Sequence, residues 1–204
     1  MGTDIHPIVQ VEHGTQWRTV TLPADVHRAL RTRNYDAFAI LGNVRNGSGF
    51  AGIDTGDEFE PISDGRGIPD DVGVEKDEDD YYLFGDHSYS WVTLAELLDY
   101  EWATGVIHRG TVPVNVYHAW SQYRDGPPWQ YSGGVFGAGI ETLNEIEYDT
   151  MATKPDVPDD KLYIRASWIE RASLSAGSLY SVVMPYLKTL GPPDRVRVVF
   201  GFDS

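Results

Sequence analysis

The sequence predicts an α+β fold. One domain, 1–204, is built on a central, mostly antiparallel sheet that includes both terminal strands, with packed helices and two acidic surface loops. Three observations carry this expectation. Residues 4–12 follow a period of two, with Ile5, Pro7, Val9 and Val11 on one side and Asp4, His6, Ile8, Gln10 and Glu12 on the other. Residues 195–202 repeat that period, with Val196, Val198, Phe200 and Phe202 on one face. Between these ends lie stretches whose apolar residues recur at helical spacing. At 204 residues and 41% hydrophobic content, the chain is long and apolar enough to bury a core.

Taken in order, the first strand covers 5–11, and Pro7 assigns it to a sheet edge or a bulge. His13-Gly14-Thr15-Gln16 is a hairpin turn into a second strand over 17–22. Pro23 opens a helical stretch over 24–31, and Asn34 caps a helix over 35–44 that buries Phe38 and Leu41. Thr93 and Glu96 form the capping box of a helix that reaches residue 102. Residues 115–124 form another helix, with Val116, Trp120 and Tyr123 at helical spacing and His118 packed beside them. His108-Arg109 and the Gly-rich 132–139 read as loops. A strand covers 162–169. Leu179, Val182, Val183, Tyr186, Leu187 and Leu190 then trace a helix, kinked at Pro185 and ended by Gly191-Pro192. The strand over 195–202 closes the chain beside the first.

The net charge of −15 is concentrated. Residues 54–80 hold twelve acids and two bases, net −10, and residues 144–160 hold six acids and one base, net −5. The remainder balances at 13 acids and 13 bases. Both acidic segments read as solvated loops or as an acidic face for a basic partner, and trimming 54–80 is expected to leave the fold standing. The acidity argues against general nucleic-acid binding. No run approaches the ~18 apolar residues of a membrane span, and the opening residues carry no signal-peptide pattern. The absence of cysteine excludes disulfides, thiolate metal sites and a Cys nucleophile, and it suits a reducing, cytoplasmic setting.

Gly47-Ser48-Gly49-Phe50-Ala51-Gly52 matches G-x-G-x-x-G, but a helix precedes it and acidic turn residues follow, the reverse of a dinucleotide site. Asp77, Asp79 and Asp80 imitate part of a calcium loop without its Gly and closing Glu. Three constellations remain. Asp4 and His6 share a strand face, as a metal site or general-base pair would, or as an exposed edge does. Asp86-His87-Ser88-Tyr89-Ser90-Trp91 precedes a helix; His87 is a candidate acid or base, with Asp86 beside it and Ser88 or Ser90 as donors to substrate. Plain capping and aromatic packing are the competing account, and without a G-x-S-x-G elbow the sequence points away from a serine nucleophile. Asp203 ends the last strand and would approach Asp4 and His6 if the terminal strands pair; Asp4, His6 and Asp203, with Asp86 and His87 near, suit a divalent metal. Arg66, isolated among acids, is a candidate clamp for a carboxylate or phosphate or else a local ion pair, and Trp91 is a further ligand-binding candidate.

Several stretches together resemble an uncharacterised family encoded by bacteriophages and prophages. They are the opening Gly2-Thr3-Asp4-Ile5-His6, Arg33-Asn34-Tyr35-Asp36-Ala37-Phe38 with Val44-Arg45-Asn46, Pro61-Ile62-Ser63 with Arg66-Gly67-Ile68-Pro69-Asp70, the 86–97 stretch, and the ending Phe200-Gly201-Phe202-Asp203. The resemblance implies a virus-encoded accessory protein of the host cytoplasm and brings no catalytic residues with it. Two functions follow as expectations. One is an enzyme, such as a hydrolase, using a metal or acid/base site on a nucleotide or other small phosphorylated substrate. The other is an acidic binder that inhibits a host or anti-phage defence protein or sequesters a small nucleotide-like ligand.

Overall fold

A computed structural model describes residues 2–73, 83–151 and 154–203. Asp77, Asp79 and Asp80 lie outside the described residues. The strands are β1 (Asp4–His13), β2 (Gln16–Thr19), β3 (His87–Thr93), β4 (Gly105–Pro113), β5 (Glu141–Asn144), β6 (Leu162–Arg171) and β7 (Val196–Asp203). The α-helices are α1 (Ala24–Leu30), α2 (Tyr35–Gly42), α3 (Leu94–Asp99), α4 (Val114–Trp120), α5 (Glu145–Thr150), α6 (Ala172–Ser175) and α7 (Met184–Leu187). The fold is α+β, and Cα proximity divides it into two compact units. Among the described residues no helix is long and apolar enough to cross a membrane.

The first unit holds residues 1–46, 59–104 and 172–204. Its sheet, among the described residues, has the order β2-β1-β7-β3 with every pair antiparallel. The terminal strands are neighbours, and Val9 faces Val198 in their register. The β1–β2 hairpin turns on Gly14-Thr15, and Gly14 takes φ 68°, the positive value a primed two-residue turn needs. β2 pairs with β1 only from Gln10 onward, so Pro7 sits where β1 has β7 alone as a ladder partner.

β7 is buried along 196–202, and both of its faces are therefore covered. On one face Phe38 of α2 meets Phe202 edge-on at 5.1 Å, and Asn34 caps that helix by accepting from Asp36 N and Ala37 N. On the other face Val199 packs with Val72 and Phe84, with Ile8, Ile68 and Trp91 around them. Gly201 is required here, because a Cβ would collide with the Phe84 carbonyl oxygen.

The covering residues correct the expectation that 54–80 is dispensable. The described acids of the segment stay at the surface, but Phe59, Ser63 and Val72 are core. Arg197, 3% exposed, ties the segment down. It pairs with Asp71 Oδ1 at 2.9 Å, donates to Gln10 Oε1 at 3.0 Å and lies over the Trp17 ring at 4.0 Å. Gln10 in turn donates to the Val72 carbonyl.

The helix expected from 179 is divided. Residues 179–183 form a π turn that leads into α7. Pro185 has no N–H for the preceding turn, and the wider turn accommodates it. The phase change turns Val182 outward and brings Met184 into the core, against the plain period.

The second unit holds residues 47–58 and 105–171. Its sheet has the order β4-β6-β5, with β4–β6 antiparallel and β5–β6 parallel. Val112, Val116, Tyr117, Trp120, Ile164 and Trp168 form its core. His108-Arg109 belongs to β4, not to a loop. His108 and Gly110 occupy inward positions beside Val106 and Val112, so the apolar alternation is concealed. α4 ends at Trp120; His118, on its outer face, and Tyr123, beyond its end, are both exposed. The second acidic segment begins as helix α5, where Asn144 and Glu147 form a capping box. The Gly47–Gly52 stretch makes an isolated bridge and a 3₁₀ turn, and Asp54 and Asp57 pair with Arg109 at 3.3 and 2.7 Å.

Removing Asp71 leaves the buried Arg197 short of its counterion. Asp71→Asn is expected to destabilise the protein by about 1–3 kcal/mol, while Asp70→Asn stays within about 0.5 kcal/mol. Urea midpoints of the two variants check this.

Candidate active site

The pairing of β1 with β7 brings the two ends of the chain together at one end of the sheet. Asp4 faces Asp203 and His6 faces Gly201 in the register, and the strand period puts Asp4, His6 and Asp203 on the same face. His6 Nε2 is 2.9 Å from Asp203 Oδ2, with the two side chains 24% and 46% exposed. The other Asp203 oxygen accepts from the Asp4 amide at 3.2 Å. Arg33 grips the Asp4 carboxylate with two hydrogen bonds, Nε to Oδ1 at 2.9 Å and Nη2 to Oδ2 at 2.7 Å. That grip holds the Asp4 pKa below its ordinary value against the opposing effect of burial. Arg45 Nε donates to the buried Thr3 hydroxyl at 3.0 Å, and its guanidinium lies 5.8 Å from the centre of the Tyr35 ring.

β3 reaches the same end of the sheet from the other side of β7. His87 faces Phe202, and its ring stacks on Phe202 at 6.1 Å. Phe202 also faces Ile5, so His87 lies on the sheet face opposite His6. The period of two therefore keeps His87 out of a metal set shared with Asp4, His6 and Asp203. Nor does Asp86-Trp91 precede a helix directly; it is mostly strand, and Thr93 provides the cap of α3. Ser88 and Tyr89 together oppose Gly201, which makes a β-bulge. Ser88 takes φ 51°, a left-handed value that costs a non-glycine residue about 1 kcal/mol. Its Oγ is 2.9 Å from His87 Nδ1, and His87 Nε2 is 3.9 Å from Asp86 Oδ1.

The other candidates are engaged within the protein. Arg66 pairs with Glu96 at 2.8 Å, donates to the Trp91 and Ile62 carbonyls, and lies over the Trp91 ring at 5.1 Å. This is the local ion pair of the two readings of Arg66, and Trp91 is partly buried against the sheet. Burial raises the Glu96 pKa, but the Thr93 hydrogen bonds and Arg66 outweigh it and leave the carboxyl below its usual value. Ser90 is buried and donates to Ser63, so it is structural. Among the described residues no group of three or more His, Asp or Glu side chains is placed to hold a metal ion. At Asp4 the physical reason is Arg33, which already occupies both carboxylate oxygens.

Arg33, Arg45 and Tyr35 were not singled out by sequence reasoning. The signal was present in Arg33-Asn34-Tyr35 and Val44-Arg45, bases flanking α2 on a chain with an acid near its start. A second polar cluster was also missed. Tyr117 O–H faces Asp149 at 3.3 Å, Arg124 bridges Tyr117 and Glu145, and burial with the nearby carboxylates pushes the Tyr117 pKa up to about 12. A cavity of about 10 Å³ beside Ile5, Phe38 and Leu179 has room for one water and no more. No protein-family model, curated protein or solved structure matches the chain.

Asp4 titrates lower in the folded protein than when unfolded, so its ion pair stabilises above the ordinary carboxylate pKa and the benefit fades as pH falls through the folded value. Asp4→Asn is therefore expected to be less stable than the parent at pH about 7, with the gap closing by pH about 2. Urea midpoints across that range measure it.

Proposed function

We propose that the protein is an acid–base enzyme acting on a nucleotide or other small phosphorylated substrate at this end of the four-stranded sheet. The observation that carries the reading is the His6–Asp203 pair. An imidazole is held by a carboxylate 197 residues away in sequence, at 2.9 Å, and both groups remain open to solvent. In the proposed chemistry Asp203 fixes the ring and stabilises its protonated form, and His6 takes a proton from the attacking group. Arg33 on Asp4 and Arg45 on Thr3 bring positive charge to this end of the sheet, which favours an anionic substrate.

The acidic-binder alternative draws less support. Of the described acids in 54–73, Asp54, Asp57 and Asp71 are taken by Arg109 and Arg197 within the fold. The resemblance to phage-encoded proteins supplies the proposed setting, the cytoplasm of an infected host.

Hydrolysis of p-nitrophenyl phosphate and of nucleoside monophosphates, read with and without added Mn²⁺, tests the proposal. His6→Asn and Asp203→Asn are each expected to lower kcat at least about tenfold with the fold intact by circular dichroism. Turnover equal to the parent in both variants, or none in the parent with no phosphate-induced NMR shift at His6, would overturn it.

A further inference from the structure

We propose that Ser88 is a covalent nucleophile for neutral carboxylic esters, in a second constellation on the opposite face of the sheet from His6. A serine beside a histidine is common on surfaces, and the hydrogen bond between them alone means little. Three further features set this one apart. Ser88 sits in a bulge with a left-handed backbone, φ 51°, where glycine is the favoured residue. Its Oγ is 2.9 Å from His87 Nδ1, and the other ring nitrogen is 3.9 Å from Asp86. The segment is fastened on both sides, since the Asp86 amide donates to the Phe202 carbonyl at 2.7 Å and the Tyr89 hydroxyl donates to the Gly85 carbonyl at 3.0 Å. Strained backbone persists where its surroundings hold it, and such positions gather at reactive sites.

The chemistry balances without a cofactor. Oγ attacks the ester carbonyl carbon while its proton passes to His87 Nδ1. The imidazolium so formed is stabilised by Asp86. The bond from the carbonyl carbon to the alcohol oxygen breaks, and the alcohol leaves with the proton from Nδ1. Water then hydrolyses the acyl-serine and restores the hydroxyl. The substrate class follows from charge. Asp86 lies beside this group, and its negative charge disfavours a phosphate monoester and suits an uncharged acyl group.

This inference does not depend on the His6–Asp203 reading, and its test is separate. The full chain is treated with a fluorophosphonate probe and followed by intact mass and peptide mapping. One adduct is expected, on Ser88, formed at least about tenfold more slowly in His87→Ala and at the parental rate in His6→Asn. Ser88→Gly, which suits the positive φ and keeps the fold, should take no adduct. No adduct on the folded parent, an adduct that persists in Ser88→Gly, or labelling that depends on His6 instead of His87 would overturn the assignment.

Discussion

β7 must be covered on both faces, and the first unit is organised around that constraint. A strand reading Val-Arg-Val-Val-Phe-Gly-Phe offers no face to water. Phe200 and Phe202, each fully buried, contribute roughly 1.5–3 kcal/mol apiece once α2 excludes solvent. On the opposite face Gly201 lets the Phe84 backbone approach within contact of the strand. That face is closed by irregular chain: Ile68 and Val72 from the acidic segment that composition alone assigns to solvent, and Phe84 beyond it. Burial of β7 also brings a charge inside. Arg197 falls on the irregularly covered face, where desolvation lowers its pKa and the ion pair with Asp71 offsets that only in part.

The polar end of the sheet inherits its geometry from the same strand. Asp203 is the last residue of β7 and the first not fully covered, so its carboxylate can serve Asp4 and His6 at once. β1 and β3 flank β7, and a strand's side chains alternate. The histidines they contribute are therefore directed to different faces, even though both strands begin at the same end of the sheet. Two small polar arrangements result in place of one large one.

Much of this was legible in the residues. The alternations in 4–12 and 195–202 specified paired terminal strands, and Asn34 and the Thr93/Glu96 box placed α2 and α3 to within a few residues. The proximity of Asp203 to His6 followed from that pairing. What was hidden has physical causes. β4 buries His108 and Gly110, which read as polar and flexible in sequence. α5 is too short and too acidic to show a period, though its capping box was present. The ion pair of Arg33 with Asp4 spans 29 residues, and no local spacing encodes it. The bulge that separates the two histidines needs the register of β3 against β7, a tertiary quantity.

The pairing of β1 with β7 also has a consequence in time. During synthesis β1 is the first of the described elements to emerge and waits for its central partner until every other one has been made. Its apolar residues Ile5, Val9 and Val11 lack β7 throughout that interval, while the β2 hairpin pairs one edge of the strand. Contacts of such sequence separation slow folding. The His6–Asp203 contact forms with the final strand, so a chain that stops short of β7 carries neither a closed sheet nor the pair, and the chemistry proposed for it cannot begin before the fold is complete.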